Sequence, residues 1–231
     1  MIRALHAPLT AAMSAGHFPV VYGGDCSVLL AAVPVLKNAA GDAGLLFIDG
    51  HEDATPLERS PDGEAANMEI AVLLGMTGER LPPPMNDAFG ALEFDALAML
   101  GPRDDLWRRP LRVETVAGRV FLRTADEVSP DPARAAQDAV RHIASGASGW
   151  WLHTDLDVLD RRDFSACGAP GELELSGGLT WPELTETVRA ALRAGGCRGW
   201  SLVIYNPDLD PGGSQARRIV QFVSEVVPHL P

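Results

Sequence analysis

The sequence lacks the features that place a protein in a membrane or outside the cell. No apolar run approaches the length needed to span a bilayer, so a transmembrane helix is not expected. The first residues have neither the apolar core nor the cleavage pattern of a secretory signal. The three cysteines, Cys26, Cys167 and Cys197, are too widely spaced for a disulfide framework or a paired-cysteine metal site. These absences predict a cytoplasmic protein.

Basic residues are also scarce, with 19 Lys and Arg against 31 Asp and Glu and a net charge of −12. This balance argues against nucleic acid and anionic membranes as partners. The expected partner is a small-molecule substrate. The hydrophobic content of 46% is ordinary for a globular protein. A length of 231 residues suits one domain covering residues 1–231.

Apolar runs and helical periodicity alternate along the chain. The predicted strands are 19–22, 45–48, 96–100, 119–122, 150–152 and 199–205. The predicted helices are 27–36, 65–74, 132–144, 180–195 and one that begins at Ser214. Such alternation predicts an α/β fold, a three-layer α/β/α sandwich with a mostly parallel sheet. Thr180 and Glu183 form a capping box, and Ser214 is expected to cap the final helix with Ile219 and Val220 facing inward.

Three acidic clusters each follow one of the apolar strands. The clusters are Gly23-Gly24-Asp25-Cys26, Asp49-Gly50-His51-Glu52-Asp53 and Asp155-Leu156-Asp157. The carboxyl ends of parallel strands meet at one edge of a sheet, and alternate residues of extended chain point the same way. Carboxylates gathered there repel one another unless a cation joins them. Oxygen-rich ligands suit Mn²⁺ or a similar divalent ion, and two ions with a water between them would form a hydrolytic site.

Taken in order, Gly-Gly-Asp, Asp-x-His-x-Asp and Asp-x-Asp-x-x-Asp resemble the metal-binding motifs of the arginase/agmatinase/formimidoylglutamase (ureohydrolase) family. The segments 100–104 and 177–180 and the pair Asn206-Pro207 are similar to other family segments. The resemblance covers residues from about 19 to the C-terminus. It implies an α/β/α fold, two manganese ions, hydrolysis of guanidino or formimino groups, and usually a homo-oligomer.

The resemblance also implies the metal ligands. Asp49 and Asp155 would bridge two ions, His51 and Asp157 would complete one, and Asp53 would bind the other and orient the attacking water. The remaining ligand of the family is usually histidine, but the matching residue here is Cys26. A thiolate favours zinc or iron, whereas an uncharged thiol would not bind. Two Mn²⁺ ions, a single ion and Zn²⁺ therefore all stay open.

Other departures concern the catalytic groups. Residues 65–67 match the segment where the family has a proton-shuttling histidine, and they contain none. Ile204 matches the glutamate that pairs with the guanidinium, so an arginine-like cation would be buried without a partner. Ordinary arginase or agmatinase activity is therefore not expected. Only about twenty residues precede Gly23, so the family's first strand is either rebuilt or missing.

Several acidic residues and one histidine are candidates to replace these groups. Glu64 and Glu69 lie close to the expected position of the missing histidine, and either would serve as a general acid or base if burial raised its pKa. For Glu69, a position on the solvated face of its helix is the favoured interpretation. Glu172 and Glu174 are candidates for substrate binding. His153 shares a strand face with Asp155, where it either supports a metal ligand or packs in the core.

Three functions are consistent with these residues. The leading hypothesis is a metal-dependent hydrolase of C–N bonds in a small guanidine, amidine or amide. The second is a catalytically silent member of the same family that binds metal or a small ligand. The third is a single-zinc amidohydrolase or deacylase on the same fold.

Overall fold

One parallel sheet forms the centre of the fold. A computed structural model describes residues 2–78, 81, 85–168 and 177–231. Its strands are β1 (Val20–Tyr22), β2 (Gly44–Ile48), β3 (Leu97–Gly101), β4 (Phe121–Thr124), β5 (Trp150–Asp155) and β6 (Cys197–Val203). They lie in the order β1-β6-β5-β2-β3-β4, and every neighbouring pair is parallel. The carboxyl ends of β1, β6, β5 and β2 therefore meet side by side.

Helices cover both faces of this sheet. Those of the described residues are α1 (Ile2–Ser14), α2 (Leu29–Ala40), α3 (Glu69–Leu73), α4 (Asp105–Leu111), α5 (Ala125–Val128), α6 (Pro132–Gly146), α7 (Trp181–Ala194) and α8 (Ser214–Val226). Leu46 and Ile48 of β2 share a buried cluster with residues of α6, α7 and α8, whereas Leu45 and Phe47 share one with residues of α1, α2 and α3. Because alternate strand residues face opposite ways, the helices form two outer layers, and the predicted three-layer α/β/α sandwich is confirmed.

The predicted helix 65–74 is divided into two pieces. A 3₁₀ turn, Ala65–Asn67, precedes the short α3. Met68 between them has φ −137°, outside the helical range, so the helix cannot run through it. The capping box at the start of α7 is confirmed, with Thr180 and Glu183 each bonded to the other's backbone N–H.

The prediction for α8 is wrong in two respects. The first-turn amides are capped by Asp210, whose carboxylate accepts hydrogen bonds from the N–H groups of Ser214 and Ala216 at 2.8 and 2.9 Å. Val220 is 65% exposed, because it lies on the outer side of the helix. The buried residues of α8 are Ile219, Phe222 and Val226.

The N-terminal segment forms a helix ahead of β1. The side chain of Leu9 in α1 is buried in the cluster that contains α2. Among the residues that the structure describes, no helix combines the length and the apolar character needed to cross a bilayer.

Candidate metal centre

A tight turn after β1 brings Cys26 into the interior. Gly23 and Gly24 have φ values of +98° and +72°, in the left-handed region that favours glycine. Asp25 accepts a hydrogen bond from the N–H of Ser27 at 3.0 Å and caps the short 3₁₀ helix that follows. The chain thereby reverses within a few residues and leaves the Cys26 side chain 4% exposed.

Cys26 lies among carboxylates from two other strand ends. Its thiol donates to Asp155 Oδ2 at 3.0 Å, and its Sγ lies 3.5 Å from Asp49 Oδ2. His51 Nδ1 lies 2.9 Å from Asp157 Oδ2 and 3.5 Å from Asp49 Oδ1. Side chains of the loops after β1, β2 and β5 are therefore in direct contact.

Backbone N–H groups fix the orientation of these carboxylates. The N–H of His51 donates to Asp49 Oδ1, and that of Asp157 donates to Asp155 Oδ1, both at 2.7 Å. The N–H of Gly50 donates to Asp157 Oδ1 at 3.0 Å and links the two loops. A Cβ atom at Gly50 would lie 2.8 Å from that oxygen and 3.0 Å from the backbone oxygen of Asp157, so a larger residue would displace this contact.

The donor atoms are spaced closely enough for a cation to touch several of them. Three groups with donor atoms within 4.8 Å of one another occur among the described residues: Cys26–Asp53–Glu69, Asp49–His51–Asp157 and Cys26–Asp49–His153. Carboxylate and imidazole ligands are those of Mn²⁺ and Zn²⁺ sites, and the thiol adds a preference for the softer Zn²⁺. The residues present therefore fit a bound divalent metal.

The electrostatics of the centre show a shortage of positive charge. Burial, followed by repulsion from Asp157, raises the pKa of Asp49 to about 6. Burial and neighbouring carboxylates likewise raise the pKa values of Asp53 and Asp155 well above the usual range. Burial also disfavours the charged forms of His51 and Asp157, but the attraction between the two side chains is stronger than this effect. The pKa of His51 is therefore raised well above its usual value, and the pKa of Asp157 is lowered. The opposite charges of His51 and Asp157 compensate each other, and a cation would stabilise the carboxylates of Asp49, Asp53 and Asp155.

Glu69 does not lie on a solvated face, so the favoured interpretation of this residue was wrong. It is the first residue of α3, and its side chain is fully buried. Neither carboxylate oxygen has a hydrogen-bond partner within the described part of the chain. Burial, followed by repulsion from Asp53, raises the pKa of Glu69 well above its usual range. The interpretation failed because all five residues of α3 are buried, which leaves this helix without a solvated face.

His153 contacts the sulfur of Cys26 within the buried part of the centre. The imidazole is fully buried and stacks on Phe47 with ring centroids 5.1 Å apart. Burial lowers its pKa to about 3, so the ring is neutral. His153 Nδ1 lies 2.7 Å from Ser201 Oγ, which accepts from Trp151 Nε1, and its Nε2 lies 3.3 Å from Cys26 Sγ. With the proton on Nε2, the ring accepts from Ser201 and donates to the sulfur.

The other predicted acidic residues are placed differently. Glu64 is exposed, lines the cleft above the centre and accepts a hydrogen bond from Asn67 Nδ2 at 3.3 Å. Glu172 and Glu174, predicted to bind substrate, lie outside the described residues.

The cleft has a volume of about 300 Å³, at the lower end of the range for small-ligand sites. Ala66, Arg103, Trp107 and Ile204 line it together with the metal-binding candidates. Ile204 has φ +63°, a strained conformation for a β-branched residue. An apolar side chain therefore occupies a wall where the family resemblance places a carboxylate.

A buried ion-pair network behind the centre was not predicted from the sequence. Glu52 lies within the second acidic cluster but is 2% exposed and points toward α4. Its carboxylate lies 3.1 Å from Arg108 Nη2 and accepts from Thr115 Oγ1 at 2.6 Å and from Val116 N–H at 2.8 Å. Arg108 Nε also donates to buried Asp104 at 2.9 Å. The sequence did offer one signal for this network. Glu52 lies between the candidate ligands His51 and Asp53, and a glutamate in a buried loop needs a basic partner of its own.

Sequence comparison indicates one family. The model of the Arginase family matches residues 1–228. The arginase of Brevibacillus brevis is 29% identical over 216 residues, which are 93% of this chain and 70% of that protein. The chain spans 50% and 59% of two fungal arginases, from Eremothecium gossypii and Saccharomyces cerevisiae. It therefore corresponds to only part of the length of its curated relatives.

Solved structures agree on the fold. The crystal structure of arginase from Bacillus cereus superposes with a TM-score of 0.82 at 21% identity, covering 97% of this chain and 75% of that one. Formimidoylglutamase from Bacillus subtilis gives a TM-score of 0.77 at 19% identity, covering 99% and 66%. With the family model matching nearly the whole sequence, the chain belongs to the arginase family.

Proposed function

We propose that this chain is a metal-dependent hydrolase that cleaves a C–N bond in a small guanidine, amidine or amide other than arginine. The observation that carries the proposal is the cluster of buried carboxylates at the floor of the cleft, which has too little positive charge around it. Membership of the arginase family supports the same reaction class.

The chain's own residues would hold two ions. Asp49 and Asp155 would contribute carboxylates to the centre, His51 and Asp157 would act as a pair of ligands, and Asp53 would be a further ligand. When bound, the ions would lower the pKa of a water molecule and supply the nucleophile. Asp53 would accept a hydrogen bond from that water and direct it at the trigonal carbon of the substrate.

Glu64 is the residue we assign to proton transfer. A group that passes protons between the substrate and solvent must be reachable from both, and Glu64 is an exposed residue of the cleft wall. His153 does not meet this requirement, because it is neutral and fully buried behind Cys26. It acts instead as a positioning residue for the thiol.

The apolar side chain of Ile204 in the cleft wall favours a substrate that has no cationic group buried beside it. A guanidinium ion next to this side chain would lose its hydration and gain no carboxylate from it. A neutral amide or a substrate whose charge remains near the mouth of the cleft fits better.

The test is a panel of guanidines, amidines and amides incubated with protein loaded with Mn²⁺ or Zn²⁺, with release of urea, ammonia or amine as the readout. Asp157→Asn should lower turnover at least about 100-fold, since it removes a ligand. Asp95→Asn is the matched control, because Asp95 is exposed before β3, at the opposite edge of the sheet. Turnover that survives Asp157→Asn would contradict the proposed site.

The second candidate is a catalytically silent, metal- or ligand-binding family member. It is favoured by one observation: Ala66 and Ile204 line the cleft where the family resemblance places a proton shuttle and a substrate carboxylate. A fully metallated protein that turns over nothing in the panel but binds one of its compounds would establish this candidate. Full activity with one bound Zn²⁺ would instead establish the single-zinc amidohydrolase. A homo-oligomer and a cytoplasmic location remain predictions from the sequence.

A further inference from the structure

Glu69 is a buried carboxylate that faces the like charge of Asp53. Its side chain is fully buried, and both oxygen atoms are without a hydrogen-bond partner among the described residues. Leaving such a group buried and unpaired is unfavourable, so native proteins supply a partner or a cation. Glu69 therefore either shares a proton with Asp53 or takes a partner that is not among the described residues, such as a cation.

The position of Glu69 is fixed by the backbone. The N–H of Ile70 donates to the carbonyl of Asp53 at 3.1 Å, and the N–H of Thr55 donates to the carbonyl of Asn67 at 3.1 Å. These two bonds join the end of the second acidic cluster to the start of α3. Asp53 itself has φ +45°, an uncommon conformation for a residue with a side chain.

Two other donors face the same point. The ligand atoms of Cys26, Asp53 and Glu69 all lie within 4.8 Å of one another, and all three residues are buried. A single ion at the centre of such a triangle would contact one sulfur and two carboxylates. His153, whose Nε2 is 3.3 Å from the sulfur, is placed to stabilise a thiolate by donating a hydrogen bond.

We propose that Glu69 is a metal ligand and that Cys26, Asp53 and Glu69 together form a position selective for a borderline-soft divalent ion of the Zn²⁺ class. The inference deepens the proposed function and rests on it. Sulfur favours Zn²⁺ over Mn²⁺, and Glu69 adds a carboxylate oxygen beside the sulfur of Cys26 and the carboxylate of Asp53. The lost histidine and the buried glutamate are thus two parts of one altered coordination sphere.

The experiment measures metal binding rather than activity. The full chain is stripped with a chelator, and Zn²⁺ affinity is determined by competition with a chromophoric chelator. Glu69→Gln should weaken binding of one ion about 100-fold or more, because loss of even an outer partner of a ligand costs 10- to 100-fold. Glu93→Gln, which neutralises an exposed glutamate at the far edge of the sheet, should leave the affinity unchanged. Equal affinity in wild type and Glu69→Gln would overturn the inference.

Two further readouts separate ligation from a structural role. Co²⁺ bound by wild type should give a thiolate-to-cobalt charge-transfer band that Cys26→Ser abolishes and that Glu69→Gln shows only at much higher Co²⁺ concentration. Glu69→Met should melt no lower than wild type without metal, yet gain less from added Zn²⁺. A metal-free Glu69→Met that melts well below wild type would show that Glu69 has a partner in the chain and would overturn the inference.

The failures of the two proposals are distinguishable. If wild type binds no divalent ion, both fall. If it binds ions with an affinity that depends on Asp155 but not on Glu69, the metal-dependent function stands and only the role of Glu69 is rejected.

Discussion

The buried network around Arg108 should make a large contribution to stability. Arg108 is 9% exposed and contacts two buried carboxylates, those of Glu52 and Asp104, which are 2% and 1% exposed, and the exposed one of Asp105 at 4.0 Å. Arg108→Met keeps much of the side-chain volume and removes the charge, so it leaves two buried carboxylates without their cation. Breaking a buried pair in this way costs about 3–5 kcal/mol. A typical domain is stable by only about 5–15 kcal/mol, so the loss would be a large part of the total.

The neighbouring residue provides a matched control. Arg109 lies on the same helix and pairs with Asp105 at 2.6 Å, but the two side chains are 72% and 51% exposed. An exposed pair contributes about 0.2–1 kcal/mol. Arg109→Met should therefore change the free energy of unfolding by less than about 1 kcal/mol, although the substitution is chemically identical.

The assay is urea unfolding of both variants and wild type at neutral pH with a chelator, so that metal binding does not contribute. Because Glu52 lies between His51 and Asp53, Arg108→Met should also weaken metal binding by about 10- to 100-fold when metal is restored. A difference of less than about 1 kcal/mol between the two variants would refute the reasoning. It would mean that Glu52 and Asp104 find other partners or are hydrated once Arg108 is gone.

Three other predictions concern the cleft. Glu64→Gln should lower kcat by about 10²–10⁴-fold, the usual contribution of a general acid or base. Its metal content, measured by elemental analysis, should stay the same. An unchanged kcat would remove Glu64 from the mechanism. Ile204→Glu should improve binding of guanidinium compounds relative to neutral amides, as measured by calorimetry, and a preference equal to wild type would contradict the role of this wall. Free Zn²⁺ or Mn²⁺ at about 100 times its dissociation constant should stabilise the protein by about 2.7 kcal/mol in thermal unfolding; the same gain in Asp155→Ala would show that the ion binds elsewhere.

The layered parallel architecture could be predicted from local patterns, although the order of the strands in the sheet was not. Strands such as β2 are short apolar runs followed by acidic turns, and the parallel order places their ends together whatever the details of the helices. Helix boundaries were less certain, as in 65–74, because Met68 leaves the helical conformation without any glycine or proline to mark the break. Val220 was assigned to the core because it is apolar, although the hydrophobic stripe of α8 runs through Ile219 and Phe222.

The candidate site was only partly predictable for a related reason. Cys26 and Asp155 could be placed from strand ends, but the burial of Glu69 depends on how α3 docks against the loop after β2. A five-residue helix gives no periodic signal from which its buried side can be identified. The strained φ of Ile204 is likewise imposed by tertiary contacts, including the hydrogen bond from its N–H to the carbonyl of Gly24 at 3.2 Å.

The number of divalent ions bound per chain tests the proposed metal centre most directly. Wild type and Asp155→Ala would be dialysed against Mn²⁺ or Zn²⁺, exchanged into metal-free buffer and measured by elemental analysis. We expect two ions per wild-type chain and fewer than one in Asp155→Ala, because this carboxylate contacts Cys26 where the strand ends meet. Wild type without a stoichiometric ion, or a variant that retains the same number, would contradict the claim that these residues form a metal centre.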